Sequence, residues 1–166
     1  IGISVFIAVI VVLTSFEDVG LGEKGFVFKP YSEESIDHDK VYNEGTYFIA
    51  PWNEMIVYDV RRKSLDMKMS VLDKKGLEVS VDVSVVYHPV SSKVSEIHTE
   101  TGRDYKDIIV VPQTRDIFRE KVGKYTAQEL YSTKRDQLKA ETKLALGEKM
   151  GNNHLILDDI LIRDVD

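Results

Sequence analysis

Cysteine is absent from this sequence of 166 residues, so disulfide bonds, thiolate nucleophiles and thiolate metal sites are excluded. Positive charge is also in short supply: 22 Lys and Arg stand against 28 Asp and Glu, and the formal net charge is -6. A general nucleic-acid binder neutralises phosphates with clustered Lys and Arg, so we expect no nucleic-acid partner. What the chain does have is 43% hydrophobic and 30% charged residues, which favours a packed core over disorder.

Catalytic and ligand-binding motifs are missing as well. The chain has no Gly-x-Ser-x-Gly element, and segment 20–25 lacks the Lys-Ser/Thr of a phosphate-binding loop. No metal-ligand spacing connects the four histidines, His38, His88, His98 and His154. Asp158 and Asp159 would share an acid–base site only at a bulge, because adjacent strand residues point to opposite faces. We expect no enzyme activity, cofactor or metal; the alternative is a membrane-tethered hydrolase using Asp158 or a histidine.

The first sixteen residues contain no charged side chain. As a helix they would span roughly 24 Å, short of the roughly 30 Å hydrocarbon core of a bilayer. Because the chain opens on Ile1 rather than Met, we interpret residues 1–16 as the carboxyl-terminal part of a single transmembrane helix. The alternatives are the apolar core of a signal peptide and a buried core helix. The predicted anchoring residues are Ile3, Val5, Phe6, Ile7, Val9, Ile10, Val11, Val12 and Leu13.

Residues 17–89 are predicted to be rich in strands. Short strands are expected at 25–28, 45–50 and 55–60, with a polar loop over 30–43 that holds at most one weak strand. Apolar residues then alternate with polar ones over 65–71 and again over 77–87, which places each apolar set on one face. The turn sequence 73–76 ends in Gly76 and lies between the two runs. The pattern predicts a long antiparallel hairpin.

Residues 90–166 are predicted to be rich in helices. One helix is expected over 90–98 and ends at Gly102; another covers 103–124, where Pro112 should kink or restart it. Thr126 and Glu129 fit a capping box that opens a helix running to about Met150. Residues 155–162 are expected to form a final strand with a bulge. Strands followed by helices favour an α+β domain with an antiparallel sheet.

Several segments resemble the prohibitin branch of the band-7 (SPFH) family. Segment 45–52 has the order Gly-x-aromatic-aromatic-x-x-Pro-Trp, and 58–61 reads Tyr-Asp-Val-Arg. The hairpin over 73–87 and the long-helix start over 126–131 follow in the family order, and 155–160 is similar to its final strand. The resemblance covers roughly residues 25–162. The polar stretch over 31–43 looks longer than is usual in the family.

The resemblance implies a non-enzymatic membrane scaffold. Its relatives have a single-pass anchor, a band-7 domain at the bilayer and a coiled coil, which is expected after Asp166. Many like subunits form a ring or cage that organises membrane microdomains and regulates a membrane-bound AAA protease of the FtsH type. The implied location is the bacterial plasma membrane or the mitochondrial inner membrane. A stomatin-like regulator of a channel or transporter is the alternative within the same family.

Two sets of residues are candidates for contacts outside the chain. Phe48 and Trp52 are candidates for the membrane surface, because aromatic side chains favour the headgroup layer; packing in the core is the alternative. Between Arg103 and Met150, 11 Lys and Arg outnumber 8 Asp and Glu. Basic residues there are candidates for contacts between copies, or else form an ordinary exposed face; they are Arg115, Arg119, Lys134, Arg135 and Lys139.

Overall fold

The computed structural model describes residues 15–132 and 134–165. Two compact units are present. The first comprises the described residues up to Arg61 together with Val90–Thr99, and the second comprises Arg62–Pro89 and the residues from Glu100 onward. Strands and helices in both units, with antiparallel pairing throughout, confirm the predicted α+β class.

The first unit contains two antiparallel strand pairs. Strand β1 (Phe16–Val19) pairs with β3 (Gly45–Phe48), and β2 (Glu23–Phe28) pairs with β4 (Glu54–Asp59). A small core forms between the pairs from Val19, Val27, Ile49 and Met55. A 3-10 turn (Ser91–Lys93) leads into helix α1 (Val94–Glu100), whose Val94 and Ile97 are buried. The polar stretch over 30–43 has isolated bridges through Ile36 and Tyr42 but no strand.

Strand β1 corrects the predicted end of the membrane helix. We placed Phe16 in that helix, but it begins β1 and pairs with Phe48. The backbone N–H of Ile49 also donates to the carbonyl of Ser15, which holds this stretch in the sheet. The predicted anchoring residues from Ile3 to Leu13 lie outside the described residues. In the ranges that the structure does describe, no helix is long and apolar enough to cross a membrane.

The sheet of the second unit has the order β5-β6-β7. Strand β5 (Lys63–Leu72) and strand β6 (Glu78–Pro89) form the predicted hairpin, with Gly76 at φ 79° in its turn. The alternating apolar residues of β6 are at most 2% exposed, from Val79 to Tyr87. The final strand, β7 (Leu155–Val165), pairs with β6 and is longer than predicted. Because β6 is central, its period of two is the strongest sequence signal in the chain.

Helices pack against this sheet. A π-helical turn (Lys106–Val110) runs into α2 (Val111–Val122), and Pro112 occupies the first turn of α2, which confirms the predicted restart. Proline is common in the first turn of an α-helix, and the change from π-helical to α-helical winding occurs just before it. The helices α3 (Ala127–Ser132) and α4 (Arg135–Gly151) follow.

The predicted single helix from Thr126 to Met150 is wrong in one respect, because α3 and α4 are separate. Lys134 has φ -110° and ψ 3°, outside the helical region. Its N–H donates to the carbonyl of Glu129, five residues back, which closes α3 rather than extending it. The capping box itself is confirmed: the Thr126 N–H donates to the Glu129 carboxylate at 2.8 Å, and the Glu129 N–H donates to the Thr126 hydroxyl at 3.4 Å.

Two bulges interrupt β7. The register shifts leave Asp158 and Arg163 without a directly opposed residue on β6. The first bulge lies at the predicted position, and the second was not predicted. A bulge inserts one extra residue and so re-aims a side chain without shifting the rest of the strand. Here each bulge adds one charged residue while Leu155 and Ile160 both stay buried.

Candidate functional site

Exposed aromatic side chains mark the β1–β3 pair of the first unit. Phe16 is 55% exposed and Phe48 is 64% exposed, and their rings stack edge to face with centroids 5.5 Å apart. Trp52 follows in the turn after β3 and is 62% exposed, so packing in the core is not its role. Sequence reasoning found Phe48 and Trp52 but missed Phe16, because the uncharged segment before it favoured a helix. The strand pairing brings Phe16 to Phe48 directly.

Acidic side chains lie on or next to the same two strands. Glu17 and Asp18 are exposed on β1, next to Phe16. Glu44, just before β3, forms a salt bridge with Lys24 at 3.4 Å, and its own backbone N–H and Lys24 lower the pKa of its carboxyl group. The first unit holds eleven Asp and Glu against five Lys and Arg, whereas the second holds seventeen of each. The whole net charge of -6 therefore belongs to the first unit.

Three of the five predicted contact residues bind within their own unit. The guanidinium of Arg135 donates to the carbonyls of Ile162 and Arg163 at 2.5 and 3.0 Å. Lys134 donates to the Gln137 side chain at 3.1 Å, and Lys139 lies 3.6 Å from Asp159. The contacts of Arg135 and Lys139 link α4 to β7, and the contact of Lys134 lies within the start of α4.

Arg115 and Arg119 instead line a cleft with β5. They lie one turn apart on α2, and the cleft has a volume of about 300 Å³. We call it the basic cleft; its lining residues are Lys68, Met69, Ser70, Val71, Arg115 and Arg119. Within the described part of the chain, neither arginine nor Lys68 forms an ion pair. The nearby Asp116 is bridged to Lys149 at 2.8 Å, and Lys149, with Arg119 in support, lowers the pKa of its carboxyl group.

An apolar groove runs between α4 and β7. It has a volume of about 710 Å³. Its lining residues are Ala140, Lys143, Leu144, Gly147, Glu148 and Leu157. Leu144 is 77% exposed, the most exposed large apolar residue of the second unit among those described. Glu148 lies one turn further along α4 and has no ion-pair partner among the described residues.

The two neighbouring carboxylates of β7 do not form a shared site. Asp158 contacts His88 Nδ1 at 2.7 Å and Arg62 Nε at 3.2 Å. Asp159 instead accepts a hydrogen bond from Lys143 at 3.1 Å, and this bond is the main reason that the pKa of Asp159 is lowered. The bulge at Asp158 therefore separates the two carboxylates rather than joining them.

The other bulge and His98 have structural partners. Arg163 donates to the Asp66 carboxylate at 2.9 Å, and hydrogen bonding from Ser84, with Arg163 in support, lowers the pKa of Asp66. His98 Nδ1 lies 2.8 Å from the Tyr58 hydroxyl. Across the described residues, no group of three or more His, Asp or Glu side chains is placed to hold a metal ion.

Comparison with known proteins identifies the family. The profile of the SPFH domain / Band 7 family matches residues 18–166. Prohibitin 1 of Mus musculus is 27% identical over 160 residues, covering 96% of this chain and 57% of that protein. Prohibitin-2 of Dictyostelium discoideum is 30% identical over 152 residues, covering 90% and 50%. Prohibitin-6, mitochondrial, of Arabidopsis thaliana is 29% identical over 125 residues, covering 75% and 43%. The chain spans about half the length of the curated relatives it matches.

Proposed function

Because the chain belongs to the SPFH domain / Band 7 family, we propose that it is part of a prohibitin-like, non-enzymatic membrane scaffold that assembles with like subunits. The family match and the prohibitin relatives confirm the resemblance that the motifs indicated. The relatives described above are all prohibitins, which supports the prohibitin branch over the stomatin-like alternative.

One observation carries the membrane part of the proposal: the uncharged segment 1–16 leads directly into the exposed Phe16–Phe48 pair. Aromatic rings are favoured at the level of the lipid headgroups. The segment from Ile3 to Leu13 would anchor the chain, and Phe16, Phe48 and Trp52 would then contact the bilayer surface beside the anchor. The net charge of -6 on the first unit makes attraction to anionic lipids a poor driving force, so we expect apolar insertion to dominate.

The finer parts of the proposal concern how the copies assemble and which membrane protein, here called the client, the assembly regulates. An anchor restricts copies to the plane of the membrane and raises their effective concentration, so weak lateral contacts suffice to close a ring or cage. We propose that this assembly organises a membrane microdomain and regulates an AAA protease of the FtsH type. Three relatives have names that include the word mitochondrial, which supports the mitochondrial inner membrane as the location; the bacterial plasma membrane is the other candidate.

Affinity purification of the full-length protein from its native membrane in mild detergent tests the client. The proposal expects a membrane-bound AAA protease among the co-purifying proteins, at a constant ratio to the scaffold. Recovery of a channel or transporter in its place would favour the stomatin-like alternative. Recovery of the protein alone, as a soluble monomer, would contradict the scaffold.

A further inference from the structure

The basic cleft and the apolar groove of the second unit lie along opposite edges of its sheet. In the order β5-β6-β7, strands β5 and β7 are the edges and β6 lies between them. Helix α2 contacts β5, helix α4 contacts β7, and the two helices pack side by side. The basic cleft therefore follows one edge of the unit, and the apolar groove follows the other.

The two edges have complementary chemistry. The groove offers the exposed side chain of Leu144 and the carboxylate of Glu148. The opposite edge offers Leu72, which is 58% exposed at the end of β5, and the two guanidinium groups of Arg115 and Arg119. An arginine pairs with a carboxylate through two parallel hydrogen bonds, so a guanidinium without a partner is well suited to a carboxylate on another chain.

We infer that neighbouring copies of this chain join head to tail through these edges, with the groove of one copy against the basic cleft of the next. Glu148 of one copy pairs with Arg115 or Arg119 of its neighbour, and Leu144 packs near the neighbour's β5, where Leu72 is exposed. This inference rests on the proposed assembly of like subunits and names the surface that makes it. A second copy is the chosen occupant because one chain carries both halves of the contact: among the described residues, neither Glu148 nor Arg115 forms an ion pair.

A head-to-tail contact has a specific consequence for assembly. It uses two different surfaces of each copy, so every copy still has one surface of each kind to offer after binding one neighbour. Such a contact continues until a ring closes or a filament forms. A two-fold contact, in which the groove meets the groove, would stop at two copies and would leave the basic cleft without a partner.

These 166 residues contain no cysteine, so the introduced cysteines report on the contact once any cysteine elsewhere in the full-length protein is replaced by serine. The full-length protein is prepared as Glu148→Cys with one affinity tag and as Arg115→Cys with another, and each is treated in its native membrane with a short bismaleimide. The inference predicts no cross-linked dimer for either variant alone and a dimer carrying both tags when the two are co-expressed. A dimer from either single variant would overturn it, because that result requires a two-fold contact.

Charge reversal supplies an independent arm. Arg115→Glu and Glu148→Arg should each raise the dissociation constant of the contact between copies by about tenfold, which corresponds to a loss of about 1.4 kcal/mol per contact. The two reversals combined in one chain should restore assembly. Glu34→Arg is the matched control, since it makes the same charge change on an exposed residue of the first unit and should leave assembly unchanged.

The outcomes separate the inference from the proposed function. If the wild type assembles, the reversals have no effect and the mixed cysteine variants do not cross-link, the head-to-tail surface is wrong while the scaffold stands. If the wild type itself does not assemble, the proposed function fails. Leu144→Ala adds an apolar readout: it should weaken assembly and leave the stability of the subunit unchanged, because Leu144 contributes little to the core.

Discussion

The carboxylate of Asp73 joins the β5–β6 turn to the start of α3. Its Oδ2 accepts the backbone N–H of Ala127 at 3.0 Å, 54 residues along the chain. Its Oδ1 accepts the N–H groups of Lys75 and Leu77 at 2.7 and 2.9 Å. One buried side chain thereby closes a hairpin turn and satisfies an N–H of the first helical turn, where such groups have no partner within the helix.

Replacement of this carboxylate should destabilise the second unit. Asp73→Asn keeps the size of the side chain but replaces one oxygen with an NH₂ group, which cannot accept a hydrogen bond from a backbone N–H. We expect a lower urea midpoint for unfolding, measured by far-ultraviolet circular dichroism. Asp104→Asn, at an exposed position of the same unit, is the control and should leave the midpoint unchanged. An unchanged midpoint for Asp73→Asn would show that the three bonds contribute nothing net.

The same carboxylate predicts a pH dependence. The N–H of Leu77, followed by those of Ala127 and Lys75, lowers the pKa of folded Asp73 below its ordinary value of 3.8. A lowered pKa in the folded state stabilises the fold above the unfolded pKa, and this stabilisation is lost as the pH falls through the folded pKa. The difference in urea midpoint between the wild type and Asp73→Asn should be full at pH 6 and shrink below pH 4. A difference that grows in acid would contradict this sign.

Truncation of two leucines of α4 should lower the stability of the second unit by very different amounts. Leu146 is fully buried, so Leu146→Ala should lower the free energy of unfolding by about 3 kcal/mol, within the range for buried leucines. Leu144, two residues earlier, is 77% exposed. Leu144→Ala should therefore change the free energy of unfolding by no more than about 0.5 kcal/mol. Denaturant titration of both variants measures the difference. Equal losses would mean that α4 is rotated from the orientation described.

Gly76 should be difficult to replace. Its φ of 79° lies in the left-handed region, and an added Cβ would have open space around it. Gly76→Ala should therefore cost about 1 kcal/mol of stability through backbone strain alone. Gly151, the last residue of α4, also has open space but no positive φ. Gly151→Ala is the matched control and should be neutral or stabilising by up to about 1 kcal/mol in the same unfolding assay.

Trp52 is the single tryptophan of these 166 residues, so it reports on the proposed membrane contact once any tryptophan elsewhere in the full-length protein is replaced by phenylalanine. In full-length protein reconstituted into vesicles, lipids brominated near the headgroup should quench its fluorescence. Replacement of both Phe16 and Phe48 by serine should reduce the quenching, because the two rings would no longer hold this end of the unit at the bilayer. Tyr31→Ser, which removes an aromatic side chain that is 86% exposed, is the control. Fluorescence insensitive to brominated lipid would place Trp52 in water.

The sequence predicted the parts of the fold that local patterns determine. The alternation from Val79 to Tyr87 identified the buried face of β6, and Thr126 with Glu129 identified the start of α3. The sequence did not predict interactions between residues that are far apart in the chain. Strand β1 depends on pairing with β3, some thirty residues later, and the uncharged segment before Phe16 hid it. The end of α3 at Ser132 is not followed by a glycine or proline that would have predicted it.

The same division applies to the candidate surfaces. Five basic residues on the helices looked equivalent in the sequence. The structure distinguishes them, because Arg135 donates to carbonyl groups of β7 while Arg115 borders a cleft without an ionic partner in the described ranges. Leu144 and Glu148 were not selected from the sequence at all. Their exposure depends on which face α4 turns toward the sheet, and the mixed charges of α4 leave that face poorly defined by sequence alone.

Imaging of the full-length protein, extracted from its native membrane in mild detergent, tests the central claim most directly. The account predicts closed assemblies of many copies, each copy in lateral contact with two neighbours, that remain attached to lipid or detergent. Single particles of one copy, free of lipid and detergent at cellular concentration, would contradict both the membrane anchor and the scaffold.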